Sequence, residues 1–313
     1  MIILLTNALI PIFFGLLLGY SAGRFQVIDN DNVRSLITFV MSFAIPCALF
    51  LAIARTPRAA LTEQGTTAIL LTVVYATVYA VCFLWTRSRL KLSSSDSSVV
   101  ALTMGFPNSA AVGLPLLTSV FGAQSKVTVA LSLAVGAITV TPVTLAILES
   151  VKCKQSLSLL RIGSAILLAF KRPVLWAPVL GIVFSCTGLN LPSFVNRSLG
   201  VMGAAADGSA LVLTGLVVSA QSFKIGSDAL VSVFLKNALQ PALALGLGIA
   251  MHLSLEQLRF ATLICAMPCG FFGVVFGKNV EANPRLASSG LMASYILGVA
   301  SLAVWIVIVN HLT

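Results

Sequence analysis

The amino-acid sequence predicts an all-α polytopic membrane protein with ten transmembrane helices in two inverted five-helix repeats, of which the fourth and ninth helices are broken. Three observations support this fold class. Of the 313 residues, 58% are hydrophobic and 9% are charged, whereas soluble domains carry about 25% charged residues. Apolar runs of about 18 or more residues recur along the chain, as in helical membrane proteins. Features of the first half also recur in the second at a nearly constant offset.

Ten apolar segments are candidates for membrane-crossing helices. We place them at residues 2–23, 33–54, 66–85, 99–121, 127–148, 173–188, 199–220, 229–251, 257–277 and 289–309. The sixth is short and contains two prolines, Pro173 and Pro178. The connections between the segments leave no room for a soluble domain.

The basic residues are spread over the connections between the predicted helices rather than gathered in one patch. The net charge of +10 therefore does not indicate a nucleic-acid partner. With the N-terminus outside, thirteen Lys and Arg residues fall in inside connections and five in outside ones, as the positive-inside rule expects. We expect a multi-pass protein of the cell inner (plasma) membrane, with both termini outside and a basic cytoplasmic connector at residues 151–172.

Features at several separate places repeat after 161 or 162 positions. The matched pairs are Pro11 with Pro173, Gly19 with Gly181, Ala48 with Ala210, Leu49 with Leu211, and Pro107 with Pro268. They predict a first five-helix repeat at residues 1–150 and a second at residues 173–313. Because each repeat has an odd number of helices, the second enters the membrane inverted, an arrangement found in secondary transporters.

Predicted helices four and nine contain helix-breaking residues near mid-depth. The fourth is interrupted around Pro107 and again around Pro115, and the ninth is interrupted around Pro268 and Gly270. Each break creates a half-helix N-terminus with partial positive charge, which suits a carboxylate. The half-helix C-terminal ends offer carbonyl oxygens to a cation. The alternative is a pair of kinks needed only for packing, but their matching positions favour a binding site.

Three runs of sequence resemble the auxin efflux carrier family: GFPNSAAVGLPLL at 105–117, MPCGFFGVVFG at 267–277 and RPVLWAPVLGIV at 172–183. The resemblance covers essentially the whole chain, and bacterial members of this family include transporters of malonate and other dicarboxylates. It implies that broken helices four and nine cross and hold the substrate at the crossing. It also implies a scaffold of helices 1, 2, 6 and 7, often dimeric, beside a moving transport domain. The short connector makes the chain similar to the bacterial members.

The two breaks supply the candidate substrate-binding residues. Asn108 and Ser109 can donate hydrogen bonds to a carboxylate without a fixed charge, and they match the polar position that the family resemblance implies beside the crossover proline. The other candidates lie at the breaks or in the eighth predicted helix: Pro107, Gly113, Pro268, Cys269, Gly270 and Lys236. We predict no catalytic residues and no metal site, because no nucleophile–base pair or metal-ligand spacing is present.

Two charged residues, Asp207 and Lys236, fall well inside predicted helices, away from their ends. Asp207, in the seventh, is flanked by small residues, and a carboxylate at such a depth faces the protein interior or water. It is a candidate for coupling to a proton or a cation; alternatively it pairs with a buried base and serves structure alone. Lys236, in the eighth, could attract a dicarboxylate or neutralise Asp207, or its long side chain could snorkel to the cytoplasmic interface.

These observations favour a secondary transporter of a small organic anion, a dicarboxylate such as malonate or malate, that works in a lipid bilayer by alternating access. The sequence has no GxxxxGK[ST] motif for nucleotide binding, so a proton, sodium or substrate gradient would supply the energy, and no cofactor is expected. The alternatives are an anion channel on the same fold, a carrier of an auxin-like monocarboxylate, and an intramembrane receptor or enzyme.

Overall fold

The computed structural model describes residues 2–28, 33–152, 173–221, 226–278, 282 and 285–312. Within these residues the chain is almost entirely helical, and its extended pairing is limited to one isolated bridge between Pro107 and Cys269. Apart from residues 151 and 152, the predicted connector at 151–172 lies outside the described residues.

The helices up to the connector include two segments of π-helix, π1 and π2. They are α1 (Ile2–Arg24), α2 (Val33–Phe39), π1 (Val40–Ala44), α3 (Ile45–Ala54), α4 (Arg58–Glu63), α5 (Gly65–Ser88), α6 (Ser94–Gly105), π2 (Ser109–Gly113), α7 (Leu114–Phe121), α8 (Ser125–Ile138) and α9 (Val140–Lys152).

The described helices after the connector include a third π-helical segment, π3. They are α10 (Pro173–Thr187), α11 (Ser193–Ser219), α12 (Ser227–Phe234), π3 (Leu235–Leu239), α13 (Gln240–Ala250), α14 (Leu255–Ala266), α15 (Phe272–Lys278) and α16 (Arg285–Asn310).

Seven helical stretches of the described chain are long and apolar enough to cross a membrane. They are Thr6–Arg24, Val33–Ala54, Leu61–Ser88, Ser125–Val151, Ser193–Ser219, Ser227–Ala250 and Arg285–Asn310. Each coincides with one of the ten predicted helices. The remaining three predictions, the fourth, sixth and ninth, correspond to shorter helices, because the fourth and ninth are broken and α10 has only 15 residues. This pattern is that of a polytopic membrane protein.

Each π-helical segment ends two residues before a proline. The prolines are Pro46 after π1, Pro115 after π2 and Pro241 after π3. Proline has no N–H, and its ring clashes with the carbonyl four residues earlier. The N–H of the residue before the proline accordingly donates to the carbonyl five residues earlier rather than four. In π3, for example, the Gln240 N–H donates to the Leu235 carbonyl. The helix therefore widens for one turn and continues, as π-bulges allow.

The chain divides into two compact units, and each takes segments from both predicted repeats. The first unit comprises Met1–Ala68, Ser109–Ala134 and Phe170–Ala220; the second comprises Ile69–Asn108, Val135–Ala169 and Gln221–Thr313. Predicted helices 1, 2, 6 and 7, which the family resemblance assigns to a scaffold, all lie in the first unit, together with residues 109–134. The division into two inverted repeats stays a prediction.

The first unit is built on the packing of α1 along α11 and of α3 along α10. Glycine makes the α1–α11 approach close, since a Cβ added to Gly19 would collide with the Val212 carbonyl, and one added to Gly215 would collide with the Leu16 carbonyl. Small residues play this part in membrane helix packing because they let two backbones meet.

Candidate functional site

The interruptions that the sequence predicted around Pro107 and around Pro268 are present, and their extended segments lie in the second unit. The predicted interruption around Pro115 is wrong, because the helix continues from π2 into α7. Helix α6 ends at Gly105, the backbone of Phe106 is extended, and helical structure resumes at Ser109. Helix α14 ends at Ala266, Met267 leaves the helical conformation, and α15 begins at Phe272. Each of these predicted helices is therefore two half-helices joined by a short extended segment.

The two extended segments pair with each other in an antiparallel bridge between Pro107 and Cys269. The Asn108 N–H donates to the Pro268 carbonyl at 2.9 Å, and the Gly270 N–H donates to the Phe106 carbonyl, also at 2.9 Å. In a membrane protein a non-helical backbone needs internal partners or a water-filled cavity. Each break here supplies partners for the other.

Gly270 is at a position where the backbones meet too closely for a side chain. A Cβ added there would lie 2.5 Å from the Phe106 carbonyl oxygen, which is the acceptor of the Gly270 N–H. Three residues on, a Cβ on Gly273 would collide with the Thr103 hydroxyl of α6. These two glycines bring the start of α15 against the end of α6.

Aromatic rings pack around the bridge. The rings of Phe106 and Phe272 stack with their centroids 5.7 Å apart, and the ring of Tyr75, on α5, lies 5.8 Å from that of Phe106. Phe106 is 1% exposed. The apolar packing excludes solvent from this part of the bridge and strengthens its hydrogen bonds.

Asn108, the predicted substrate contact, is buried and tied to α16. Its side-chain amide donates to the Tyr295 hydroxyl at 2.6 Å. The same hydroxyl donates to the Cys269 carbonyl at 3.2 Å. Tyr295 thus connects the polar side chain of the first break to the backbone of the second, and all three residues belong to the second unit.

A second set of hydrogen bonds fixes the other side of Cys269. Its N–H donates to the Ser294 hydroxyl at 3.1 Å, and that hydroxyl donates to the Asn237 side-chain oxygen at 2.7 Å. The Asn237 amide donates in turn to the Ser294 carbonyl at 3.0 Å. The Trp305 indole N–H donates to the Asn237 carbonyl at 2.8 Å. This network joins π3, α16 and the break in the ninth predicted helix.

Lys236 is completely buried, with 0% of its surface exposed. Its ammonium donates to the Gln240 side-chain oxygen at 2.6 Å and to the Cys265 carbonyl at 2.7 Å. The Gln240 amide donates onward to the Gly105 carbonyl at 2.8 Å. Complete burial contradicts the alternative in which Lys236 snorkels to the membrane interface, because that arrangement needs an ammonium in contact with water.

The structure brings six of the predicted site residues together in the second unit: Pro107, Asn108, Pro268, Cys269, Gly270 and Lys236. Ser109 and Gly113 are assigned to the first unit, where both are buried and the Ser109 hydroxyl lies 2.7 Å from that of Ser132. Asp207 lies within α11, as expected, but its side chain is outside what the structure describes.

Sequence reasoning missed the residues that hold the crossing in place: Tyr295, Ser294 and Gln240. Two signals were present. Gln240 follows Lys236 by four residues, the spacing at which helical side chains meet, and both are polar residues inside an apolar segment. Ser294 and Tyr295 are adjacent polar residues in the tenth predicted helix, but neither has a spacing that identifies its partner.

A surface cleft of about 500 Å³ lies in the first unit, between the end of α3 and the loop after α10. The Arg55 guanidinium crosses it to donate to the Asn196 side-chain oxygen. None of the predicted site residues lines this cleft. In the described residues, no group of three His, Cys, Asp or Glu side chains could hold a metal ion.

Comparisons with known proteins identify this chain's relatives. A family model described as membrane transport protein matches residues 4–306. The uncharacterized transporter YfdV of Escherichia coli strain K12 is 29% identical over 308 residues, or 95% of each chain. An uncharacterized transporter of Methanothermobacter thermautotrophicus is 24% identical over 307 residues, covering 97% of this chain and 98% of that one. Auxin efflux carrier component 8 of Arabidopsis thaliana is 26% identical over 132 residues, covering 40% of this chain and 36% of the plant protein.

Proposed function

Because the chain belongs to the membrane transport protein family, which includes the auxin efflux carriers, we propose that it is a secondary transporter of a small organic anion. The substrate class that we propose is a dicarboxylate such as malonate or malate. It would be held at the crossing of the two broken helices and released to either side by alternating access, as in other transporters with broken helices.

The observation that carries this proposal is the pair of breaks joined by the Pro107–Cys269 bridge. Each interruption frees backbone groups that must be satisfied, and the bridge satisfies some of them while it holds the two breaks together. Proline and glycine occur at both breaks, so both interruptions are encoded locally. Breaks at matching positions of the two predicted repeats favour a binding site over two unrelated kinks.

The first break offers the chemistry that a carboxylate needs. The Asn108 side-chain amide, in the second unit, is a neutral hydrogen-bond donor that is now held by Tyr295. We propose that a substrate carboxylate takes the place of the Tyr295 oxygen as acceptor of this amide. The second break supports the site mainly through the backbone.

We propose that the protein lies in the inner (plasma) membrane with both termini outside. The support is the excess of basic residues in the predicted inside connections. Reporter fusions after α5 and after α7 would test it, since the first connection is predicted inside and the second outside. Activity of the same fusion partner at both positions would contradict this topology.

The test of function is counterflow in liposomes that contain the purified protein. The liposomes would be preloaded with one anion and exposed to the same anion outside, for each of a panel of mono-, di- and tricarboxylates. The panel includes an aromatic monocarboxylate of the auxin type because of the plant relative. We expect saturable exchange that is fastest for dicarboxylates. Uptake that never saturates would instead indicate a channel.

The site assignment is tested with Asn108→Ala in the same liposomes. We expect the half-saturation concentration to rise about tenfold, because one hydrogen bond to a charged carboxylate is lost. The matched control is Asn310→Ala, since Asn310 is also in the second unit and its amide donates within α16, to the Ile306 carbonyl. Equal half-saturation in the wild type and Asn108→Ala would contradict the assignment.

A further inference from the structure

Lys236 is the charged group that the proposed transport mechanism leaves unused. It is one of the largest fully buried side chains of the described chain, and within that part of the chain its ammonium bonds to an amide oxygen and a carbonyl rather than to a carboxylate. A buried charge without an ionic partner is costly. Something in its surroundings must compensate for that cost.

The compensating groups are the C-terminal ends of two half-helices. Cys265 is the penultimate residue of α14, and Gly105 is the last residue of α6. Carbonyls in the last turn of a helix have no partner within the helix. The Lys236 ammonium binds the Cys265 carbonyl directly and reaches the Gly105 carbonyl through the Gln240 amide.

The positive charge of the Lys236 ammonium matches the partial negative charge of the two helix ends. A helix C-terminus carries roughly half a negative elementary charge, so two such ends together carry about one, which a single ammonium balances. In transporters with broken helices, the carbonyls exposed at half-helix C-terminal ends coordinate a coupling Na⁺.

We propose that the Lys236 ammonium is a built-in cation, which neutralises the C-terminal ends of α6 and α14 at the crossing and takes the place that a coupling Na⁺ would occupy. The protein is therefore independent of Na⁺. This inference rests on the proposed transport function for its kinetic test, but its binding test needs no substrate. It gives Lys236 a positioning role different from the substrate contact predicted from the sequence.

The first experiment uses the wild-type protein in detergent. Its thermal unfolding midpoint would be compared in NaCl, KCl and choline chloride at equal ionic strength, because a cation that binds the folded state stabilises it. We expect the same midpoint in all three salts, and the same counterflow rate when choline replaces Na⁺. A higher midpoint in NaCl alone, or transport that requires Na⁺, would overturn the proposal.

The second experiment removes the ammonium and returns it as a free ion. In Lys236→Ala we expect counterflow to fall about tenfold or more, because hydrogen bonds made by a charged group are strong. Ethylammonium, which restores the missing amine, should recover part of the rate and raise the midpoint, whereas the bulkier tetramethylammonium should do neither. Ethylammonium carries N–H donors for the two acceptors of the Lys236 ammonium, whereas tetramethylammonium has none. Lys126→Ala, at a half-buried lysine in α8, is the control and should respond to neither.

The outcomes separate the inference from the function on which it rests. Lys236→Ala with the wild-type rate, or equal effects of ethylammonium and tetramethylammonium, would overturn the built-in cation. If the variant is not recovered folded, the wild-type comparison of the three salts decides. If no anion is exchanged under any condition while the midpoint stays insensitive to Na⁺, the transport proposal fails and the assignment of Lys236 stands.

Discussion

Gly270→Ala perturbs the bridge between the broken helices with a single methyl group. The added Cβ would lie 2.5 Å from the Phe106 carbonyl oxygen, so the two segments must separate. Forcing an extra carbon into a packed site costs about 1–3 kcal/mol. Lengthening or losing the hydrogen bond from the Gly270 N–H to that carbonyl costs about 0.5–1.5 kcal/mol more. The expected loss of stability is therefore about 2–4 kcal/mol.

A thermal unfolding midpoint in detergent, with counterflow in liposomes, measures this loss. A change of 1 kcal/mol shifts the midpoint by about 2–4 °C in domains of 150–250 residues, so we expect a fall of at least about 4 °C. The matched control is Gly246→Ala, in α13 of the same unit, where an added Cβ meets nothing within 4 Å. Alanine also favours a helix over glycine. Equal midpoints and rates in the two variants would refute the tight bridge.

Two further substitutions test other parts of the site. Tyr295→Phe removes the hydroxyl between Asn108 and Cys269. We expect a loss of about 1–3 kcal/mol of stability, seen as a lower unfolding midpoint. An unchanged midpoint would show that this hydroxyl makes no net contribution to stability. Asp207→Asn tests the predicted coupling role: accumulation driven by a proton gradient should be abolished while substrate exchange persists, and accumulation at the wild-type level would rule out Asp207 as the coupling group.

The broken helices could be predicted from the sequence because their cause is local. Pro107, Pro268 and Gly270 act through the backbone of their own segments, by removing a donor or a Cβ. Their consequence is visible without knowledge of any neighbour. The seven long apolar helices were predictable for the same reason, since length and hydropathy are properties of one segment.

The partners across the site were not predictable because they depend on tertiary packing. The Asn108–Tyr295 hydrogen bond joins residues 187 positions apart, and the bond from Lys236 to Cys265 joins different helices. A single sequence places each polar group on its helix but does not say which group it meets. Lys236 illustrates the limit, because its sequence surroundings allowed both a snorkelling and a buried side chain, and only its three-dimensional surroundings decide between them.

Lys236, in the π-helical turn before Pro241, reaches two helix ends by acting together with Gln240. Residues four apart on a helix are neighbours, and the Lys236 ammonium donates to the Gln240 side-chain oxygen at 2.6 Å. Lys236 then contacts the end of α14 while Gln240 contacts the end of α6. All four residues of this link belong to the second unit. The positive charge therefore stays with its acceptors for as long as that unit keeps its fold, whereas a mobile ion would have to bind and leave in each cycle.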